Sequence, residues 1–265
     1  MSKFGFIGVG NMGSALAKAV SKKVSAENIL LSDYSKERAE NFAKEIGACA
    51  TDNQTVAKEA DYIFLGVKPQ VINSVLSELC DVFSNRNSRF VIVTMAAGVE
   101  ISKIEEALNK TYPIIRIMPN TPACIGEGMI LYSPNSEVLE NEKNEFLEAM
   151  SLCGKLLQLD EKLINAATAV SGCGPAYVDL FIEAMSDGAV ACGLPRNIAL
   201  ELSAQTVKGS AALVQELKKS PAELKDAVCS PGGTTIQGVR ALEESAFRGA
   251  VMNAVIAAYE KSFKL

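Results

Sequence analysis

The chain has 265 residues, 48% of them hydrophobic and 22% charged, and a net charge of −5, which is typical of a globular protein with one large or two modest domains. The negative charge and the lack of a basic run argue against a nucleic-acid partner. No stretch of about 18 apolar residues is free of charge or glycine, which argues against a membrane span. The glycine spacing of the N-terminal segment fits a strand, a turn and a helix better than a signal peptide.

Cysteine and histidine usage limits the chemistry. The seven cysteines are scattered without the paired spacing of a metal site, and the chain has no histidine, so no metal is predicted. Scattered cysteines are typical of reduced thiols, and we expect a cytoplasmic protein. An acid–base step without histidine must use lysine, tyrosine, a carboxylate, a thiol, a hydroxyl or water.

The first motif is a glycine-rich segment between a predicted strand and a predicted helix. Lys3–Ile7 reads as the strand, Gly8-Val9-Gly10-Asn11-Met12-Gly13 follows, and 14–20 reads as the helix. In this pattern the first glycine permits a tight turn, the second lets a pyrophosphate approach the backbone, and the third lets helix and strand pack closely. The context favours a dinucleotide site over a purely structural turn. Residues 8–13 are called the glycine turn below.

Helices and continuous Val/Ile/Leu runs then alternate along the N-terminal half. Such buried runs between helices predict a parallel, doubly wound α/β sheet whose ligands lie at the carboxyl ends of the strands. The predicted strands are 29–32, 61–67, 90–95, 114–118, 129–132 and 155–159, and the predicted helices are 36–46, 69–84, 102–110 and 137–153.

Three segments follow these strands at the edge where a ligand is expected. They are Gly66-Val67-Lys68-Pro69, Met95-Ala96-Ala97-Gly98 and Pro119-Asn120-Thr121-Pro122. Lys68 either lies near the cofactor, which we favour, or caps the strand end. Asn120 either contacts a nicotinamide or the substrate, or belongs to a plain rigid turn.

Asp33 bears on the choice of cofactor, because it ends the second strand and lies 20 residues after Gly13. An acidic residue there hydrogen-bonds the ribose hydroxyls of NADH and repels the 2′-phosphate of NADPH. Nearby hydroxyl and basic side chains could still hold that phosphate, so the choice stays open. These side chains are Ser32, Ser35, Lys36 and Arg38.

From about Glu161 the pattern becomes helical, which predicts a dinucleotide-binding Rossmann domain at 1–159 and an all-α domain at 160–265. A helix at 161–170 and a glycine turn precede a long helix, and 196–219 reads as a further helix. Apolar residues recur along the long helix at helical spacing, so that face is predicted as core. The face comprises Val178, Phe181, Ile182, Met185, Ala189 and Cys192.

The last helix, from about Phe247, carries two apolar stripes roughly 120° apart. One stripe suffices for packing on a domain, so two predict a helix enclosed by its own domain or by a second subunit. A short helical half favours the second subunit. One stripe is Phe247, Val251, Ala254, Val255 and Ala258, and the other is Met252, Ile256, Tyr259 and Phe263.

A second candidate anion site lies near the C-terminus. A short helical stretch ends at Ser230-Pro231, Gly232-Gly233 follow, and Thr234-Thr235 open another helix. Glycines allow the amides of Gly232, Gly233 and Thr234 to turn inward, and a helix N-terminus adds partial positive charge. Residues 230–235, called the Ser230–Thr235 socket below, therefore suit a small anion. An ordinary capped turn is the alternative.

With these motifs assembled in order, the chain resembles the pyrroline-5-carboxylate reductase family along essentially its whole length. The resemblance implies reduction of a cyclic imine carboxylate to proline by NADPH or NADH, and a Rossmann domain followed by a helical dimerisation domain. It also implies a homodimer and, in some members, a ring of dimers. The motifs that carry it are the glycine turn, Val67-Lys68-Pro69, Asn120-Thr121-Pro122, Gly174-Pro175-Ala176-Tyr177 and Leu224–Thr235.

The resemblance also implies site residues, to which Asp33 is added from its position. Thr235 is the expected catalytic residue, with its hydroxyl on the ring nitrogen, where it relays a proton or only positions the imine. For the cofactor we expect Ile7, Gly8, Gly10, Asn11, Met12, Gly13, Asp33, Asn53, Gly66, Val67, Lys68, Pro69, Ala96, Ala97 and Asn120. For the substrate we expect Asn120, Ser230, Gly232, Gly233, Thr234 and Thr235.

Three positions depart from the family pattern. Asp33 replaces a small hydroxyl or Asn-type residue, Cys173 stands where the family usually has serine, and Ala227 stands where some members have a polar residue. The first departure puts a preference for NADPH in doubt.

Two other functions remain as alternatives. A β-hydroxyacid dehydrogenase shares the N-terminal architecture but uses a lysine early in the long helix, and this chain has no lysine between Pro175 and Arg196. A non-catalytic dinucleotide sensor would have no need of the Ser230–Thr235 socket.

Overall fold

The computed structural model describes residues 2–263, which form two compact units. Within that range the first unit comprises 2–172 and 259–263, and the second comprises 173–258. Across the described residues, none of the helices combines the length and the hydropathy that crossing a bilayer requires.

The first unit is built on an eight-stranded sheet. Its strands are β1 (Phe4–Ile7), β2 (Ile29–Ser32), β3 (Cys49–Ala50), β4 (Tyr62–Leu65), β5 (Val91–Thr94), β6 (Ile114–Met118), β7 (Gly128–Pro134) and β8 (Gly154–Gln158). Their order in space is β3-β2-β1-β4-β5-β6-β7-β8. The first six follow the order typical of Rossmann sheets, in which the direction of winding reverses between β1 and β4.

Helices cover both faces of this sheet. They are α1 (Asn11–Val20), α2 (Lys36–Ile46), α3 (Asn53–Glu59), α4 (Pro69–Asn85), α5 (Ile101–Leu108), α6 (Glu140–Met150) and α7 (Ile164–Ser171). Side chains alternate across β1, so Phe4 and Phe6 pack with α1, α2 and α6, whereas Ile7 packs with α3, α4 and α5. Phe6 stacks on Phe64 with ring centroids 4.5 Å apart.

The structure corrects the predicted sheet in two respects. β6 and β7 pair antiparallel, whereas the strand runs predicted a wholly parallel sheet. Only a short connection with a 3₁₀ turn (Thr121–Ile125) separates them, and a parallel crossover needs a longer one. β3 and α3 were not predicted. The sequence signal for α3 is its N-cap residue Asp52, whose side chain accepts a hydrogen bond from the Thr55 amide.

Helix α7 packs with the first unit. Its Ile164 is buried in a cluster with Met118 of β6 and Leu131 of β7. The two compact units therefore divide between Gly172 and Cys173, later than the domain boundary predicted from the change of pattern at 159/160. That predicted boundary stays a prediction.

The second unit is helical. Its helices are α8 (Gly174–Ala191), α9 (Arg196–Leu217), α10 (Pro221–Ala227), α11 (Thr234–Glu244) and α12 (Phe247–Ser262), whose last turn lies beyond the unit. Within it, the Tyr177 hydroxyl donates to the Ala254 carbonyl at 3.3 Å, and the Phe181 and Phe247 rings lie 5.8 Å apart.

The apolar face predicted as core on α8 is only partly covered in a single chain. Phe181, Ile182, Met185 and Ala189 are half-buried, and Val178 and Cys192 are exposed. The stripes of α12 are open as well, with Met252 59% and Ile256 52% exposed. The helical unit thus presents apolar surface that one copy of the unit does not bury.

Candidate active site

The glycine turn joins β1 to α1 at the carboxyl edge of the sheet. Gly8 has φ +97°, a conformation that favours glycine, and its amide donates to the Ser32 carbonyl at 2.8 Å. A Cβ on Gly13 would lie 2.1 Å from the Gly8 carbonyl oxygen. The third glycine therefore allows the close approach of helix and turn that the motif predicts.

Helix α1 begins with an open N-terminus. Its N-cap is Gly10, and no side chain caps the first turn. The first amides of a helix have no intrahelical partner and carry partial positive charge. A Cβ on Gly10 would have no heavy atom within 4 Å, so the space beside Gly10, at the start of this helix, is open. The arrangement suits a phosphate group.

The end of β4 lies directly against the glycine turn. The Gly66 amide donates to the Ile7 carbonyl at 2.8 Å, and a Cβ on Gly66 would lie 2.5 Å from the Gly8 carbonyl oxygen. The Ile7 side chain is buried in the core, so only its main chain can face a ligand. Lys68 is the N-cap of α4, is exposed and makes no ion pair among the described residues. Its contact with a cofactor stays a prediction.

Asp33 does not point freely into the ribose region. Its Oδ2 accepts from the Val9 amide and its Oδ1 from the Ser35 amide, both at 2.9 Å. Arg38 Nη1 lies 3.4 Å from Oδ1. The side chain is 7% exposed.

Asn53 lies at the start of α3, within a chain of hydrogen bonds beside β2. Its Oδ1 accepts from Ser32 Oγ at 2.6 Å, and its Nδ2 donates to Glu78 of α4 at 3.2 Å. Sequence reasoning missed Glu78, because its partner belongs to another helix. The expected contact of Asn53 with the adenosine stays a prediction.

The segment after β5 and the turn after β6 hold the residues expected at the nicotinamide. Ala96 is buried and Ala97 half-buried. The Asn120 Oδ1 accepts from the Met129 amide at 2.8 Å, and its Nδ2 donates to the Ser171 carbonyl at 2.9 Å. Asn120 thus ties its turn to β7 and to the end of α7. One N–H of its amide is left for a ligand.

The Ser230–Thr235 socket lies in the second unit, between α10 and α11. Gly232 has φ +69°, and the Gly233 amide donates to the Ser230 carbonyl at 3.0 Å. Contrary to expectation, that amide is therefore not free for an anion. Gly233 is the N-cap of α11, and no side chain caps this helix. Among the described residues the Gly232 amide has no main-chain acceptor, and the amides of the first turn of α11, beginning at Thr234, are free as well.

Thr234 and Thr235 are both exposed, and neither serves as a cap of α11. The ordinary threonine-capped turn, which was the alternative to an anion site, is thus not the arrangement here. The socket also carries no titratable side chain. Its chemistry is restricted to main-chain amides, hydroxyls and water.

Comparison with known proteins identifies the family of the chain. Residues 161–265 match the family model for pyrroline-5-carboxylate reductase dimerisation, and 3–98 match a model described as NADP oxidoreductase, coenzyme F420-dependent. The chain is 42% identical to pyrroline-5-carboxylate reductase of Methanosarcina acetivorans, over 99% of this chain and 97% of that protein. It is also 42% identical to the Escherichia coli K12 enzyme of the same name, over 99% and 98%.

A solved structure of the same family has the same fold. Plasmodium falciparum pyrroline carboxylate reductase, crystallised with NADP bound, aligns with a TM-score of 0.89 and 36% identity, over 99% of this chain and 97% of that one. The chain belongs to the pyrroline-5-carboxylate reductase family. The resemblance drawn from the motifs is confirmed, and so is the fold class of a Rossmann-type sheet followed by helices.

Two departures from the pyrroline-5-carboxylate reductase pattern, Cys173 and Ala227, lie in the second unit. Cys173 is the N-cap of α8 and is half-buried. Ala227 is the last residue of α10 and is exposed. Neither replaces a residue of the Ser230–Thr235 socket, which keeps its full set of glycines and threonines.

Proposed function

We propose that this chain reduces 1-pyrroline-5-carboxylate to L-proline with NADPH or NADH, the last step of proline biosynthesis. The observation that carries the proposal is the pair of open, glycine-capped helix N-termini, at α1 and at α11. Each suits an anion. The reaction has two anionic partners, a dinucleotide pyrophosphate and a small carboxylate.

The first unit fits a nicotinamide dinucleotide. The pyrophosphate is held by the first-turn amides of α1, in the space that Gly10 leaves open. The nicotinamide side is formed by Ala96, Ala97 and Asn120, and the adenosine side by Asn53 and 66–69. The bound cofactor supplies a hydride.

The second unit supplies the substrate site. The first-turn amides of α11, from Thr234 onward, hold the carboxylate, with Ser230 and the glycines shaping the turn around it. The Thr235 hydroxyl, which caps no helix, hydrogen-bonds the ring nitrogen and fixes the orientation of the imine. Hydride addition to the C=N carbon and a proton on nitrogen complete the reduction. The proton reaches nitrogen from Thr235 or from water beside it.

A threonine hydroxyl is a weak acid, so most of the rate comes from orientation and proximity. Oriented reactants account for about 7–11 kcal/mol of a barrier in the best intramolecular cases. The socket has no titratable group and the chain has no histidine, which fits a reaction driven by orientation and proximity and not by a strong acid.

The protein works as a homodimer in this proposal. The apolar residues left open on α8 and α12 support a second copy of the helical unit as their cover, and so does the match to a dimerisation model over 161–265. A ring of dimers is the larger assembly to test. All seven cysteines are free thiols, which supports the cytoplasm as the compartment.

One assay tests the function. Oxidation of NADPH or NADH is followed by absorbance with 1-pyrroline-5-carboxylate as the substrate. We expect turnover that depends on both the imine and the cofactor. Cofactor binding without turnover would favour a dinucleotide sensor, and turnover of 3-hydroxy acids instead would favour a β-hydroxyacid dehydrogenase.

A further inference from the structure

Asp33 occupies the position from which a preference for NADH is argued, yet its carboxylate is turned inward. Its two oxygens accept from the main-chain amides of Val9 and Ser35, each at 2.9 Å. The side chain is 7% exposed, and Arg38 Nη1 lies 3.4 Å from Oδ1. Asp33 therefore bridges the turn after β1 and the turn after β2.

The bridge acts on the part of the glycine turn that precedes the phosphate-binding amides. The Gly8 amide is bound to the Ser32 carbonyl, and the next amide, of Val9, is bound to Asp33. Two successive amides are thus held by the end of β2. The amides that follow, in the first turn of α1, are left for the pyrophosphate. Hydrogen bonds to a carboxylate are stronger than those between neutral groups.

The negative charge of Asp33 also has positive partners around it. Two amide dipoles point at it, and the Arg38 guanidinium lies beside it. Lys36 and Arg38 add positive charge to the first turn of α2, and Glu37 adds one negative charge. A carboxylate held in this way has little freedom to rotate toward a ribose.

We propose that Asp33 is a positioning residue for the glycine turn, supporting NADH and NADPH alike, and not the group that chooses between them. Through Val9 it holds α1 where both cofactors place the same pyrophosphate. The inference rests on the proposed function in one respect, the use of a nicotinamide dinucleotide.

Asp33→Asn is the first test. Asparagine has the same size but only one acceptor oxygen, so either Val9 or Ser35 loses its partner. We expect the dissociation constants of NADPH and NADH, measured by calorimetry without substrate, both to rise about tenfold or more. Their ratio should stay within about threefold of the wild-type ratio, a difference under 1 kcal/mol. A change of that ratio by about tenfold or more, with NADPH gaining, overturns the inference.

Glu37→Gln is the matched control. It makes the same chemical change four residues along, at an exposed side chain with no hydrogen bond or ion pair to other described residues. We expect both dissociation constants to stay within about threefold of wild type. If Glu37→Gln raised both dissociation constants as much as Asp33→Asn, the loss of affinity would come from the removed charge alone, and the inference would be overturned.

Asp33→Glu keeps the charge and covers the case in which Asp33→Asn fails to fold. A ribose-binding carboxylate tolerates the extra methylene, whereas a buried bridge between two amides does not. We expect both cofactors to bind more weakly, and unchanged NADH binding would overturn the inference.

Hydrogen exchange of residues 7–13 without any ligand gives a readout independent of the proposed function. It should speed up in both Asp33 variants and not in Glu37→Gln. Unchanged exchange overturns the inference. If wild type binds neither cofactor, the proposed function fails while the exchange result still decides the role of Asp33.

Discussion

Hydroxyl side chains serve two different tasks in the second unit. Ser220 caps α10: its Oγ accepts from the Glu223 amide, and Glu223 accepts in return from the Ser220 amide. The Ser220 amide and, after it, the Ser220 hydroxyl donate to the Glu223 carboxylate and lower its pKa. Thr235 lies just inside α11 and takes no such part. A hydroxyl without a structural task, at an open helix N-terminus, is the stronger candidate for a ligand contact.

Thr235→Ala should therefore affect turnover and not folding. We expect kcat/KM for the imine to fall about 100-fold or more, because one oriented hydrogen bond to the reacting group is lost. The unfolding free energy should stay within about 0.5 kcal/mol of wild type. Steady-state kinetics and urea unfolding measure the two effects.

Two companion variants separate function from structure at this end of the chain. Thr235→Ser keeps the hydroxyl and should recover most of the lost turnover. Ser220→Ala should lower the unfolding free energy by about 1 kcal/mol and leave kcat near wild type. Full activity of Thr235→Ala would remove Thr235 from the mechanism.

At the scale of elements, two glycines of the β1–α1 turn lack a side chain for different reasons: one because of packing inside the protein, the other because of a ligand. A Cβ on Gly13 would collide with the Gly8 carbonyl oxygen at 2.1 Å, whereas a Cβ on Gly10 would enter open space. Gly10 itself has φ −67°, which any residue can adopt. Gly13 is therefore required by packing, and Gly10 by whatever occupies the space in front of α1.

The variants Gly10→Ala and Gly13→Ala should distinguish a glycine needed for ligand binding from a glycine needed for packing. Gly10→Ala should keep the unfolding free energy within about 1 kcal/mol and raise the dissociation constant of NADPH about tenfold or more. Gly13→Ala should lower the melting temperature by several degrees, since backbone must shift. Thermal unfolding measures the stability of both variants, and calorimetry measures their binding of NADPH. Normal NADPH binding by Gly10→Ala would contradict a phosphate site at the start of α1.

An ion pair between a buried arginine and a partly exposed glutamate ties β6 to the segment before α7. The Arg116 side chain is almost fully buried and donates to Glu161 at 3.0 Å and to Asn165 at 3.2 Å. The same Glu161 oxygen accepts from the Ile101 amide, at the start of α5, at 2.7 Å. One carboxylate thus serves three elements of the first unit.

Glu161→Ala should destabilise the fold strongly, because it leaves a buried guanidinium without its partner. We expect a loss of about 3 kcal/mol in unfolding free energy, measured by urea titration. Lys103→Ala, which breaks the exposed pair with Glu106, should cost under about 1 kcal/mol. Equal losses of unfolding free energy in Glu161→Ala and Lys103→Ala would contradict a structural role for the Arg116–Glu161 pair.

At the scale of the whole molecule, the two units differ in how they exclude water. The first unit buries a continuous core on both faces of its sheet. Among residues 173–258, only Ser186, Ala199 and Ser203 are buried, while α8, α9 and α12 carry exposed leucine, isoleucine, valine and methionine side chains. Apolar surface of this kind marks an interface.

Ile256→Asp should therefore weaken self-association. Ile256 is a half-exposed residue of α12, and a buried, unpaired carboxylate is strongly unfavourable at an interface. Sedimentation velocity should give at least a dimer for wild type and a shift toward monomer for the variant. Leu152→Asp makes the same kind of change at an exposed residue of the first unit and should sediment like wild type. A monomeric wild type would contradict the homodimer.

The sequence by itself determined the family, the two glycine-rich turns and most of the helices and strands, β3 and α3 being the exceptions. These features depend on local chemistry: strand and helix periodicity, positive φ at Gly8 and Gly232, and helix N-termini without side-chain caps. The tertiary structure decided what each polar group is free to do. Asp33 faces Val9 and Ser35, Asn120 faces Met129 and Ser171, and the Gly233 amide faces Ser230. A polar group acts on a ligand only with the hydrogen-bonding capacity that its neighbours leave unused. Two of these neighbours, Val9 and Ser171, lie 24 and 51 residues from their partners, so only the folded chain brings them together.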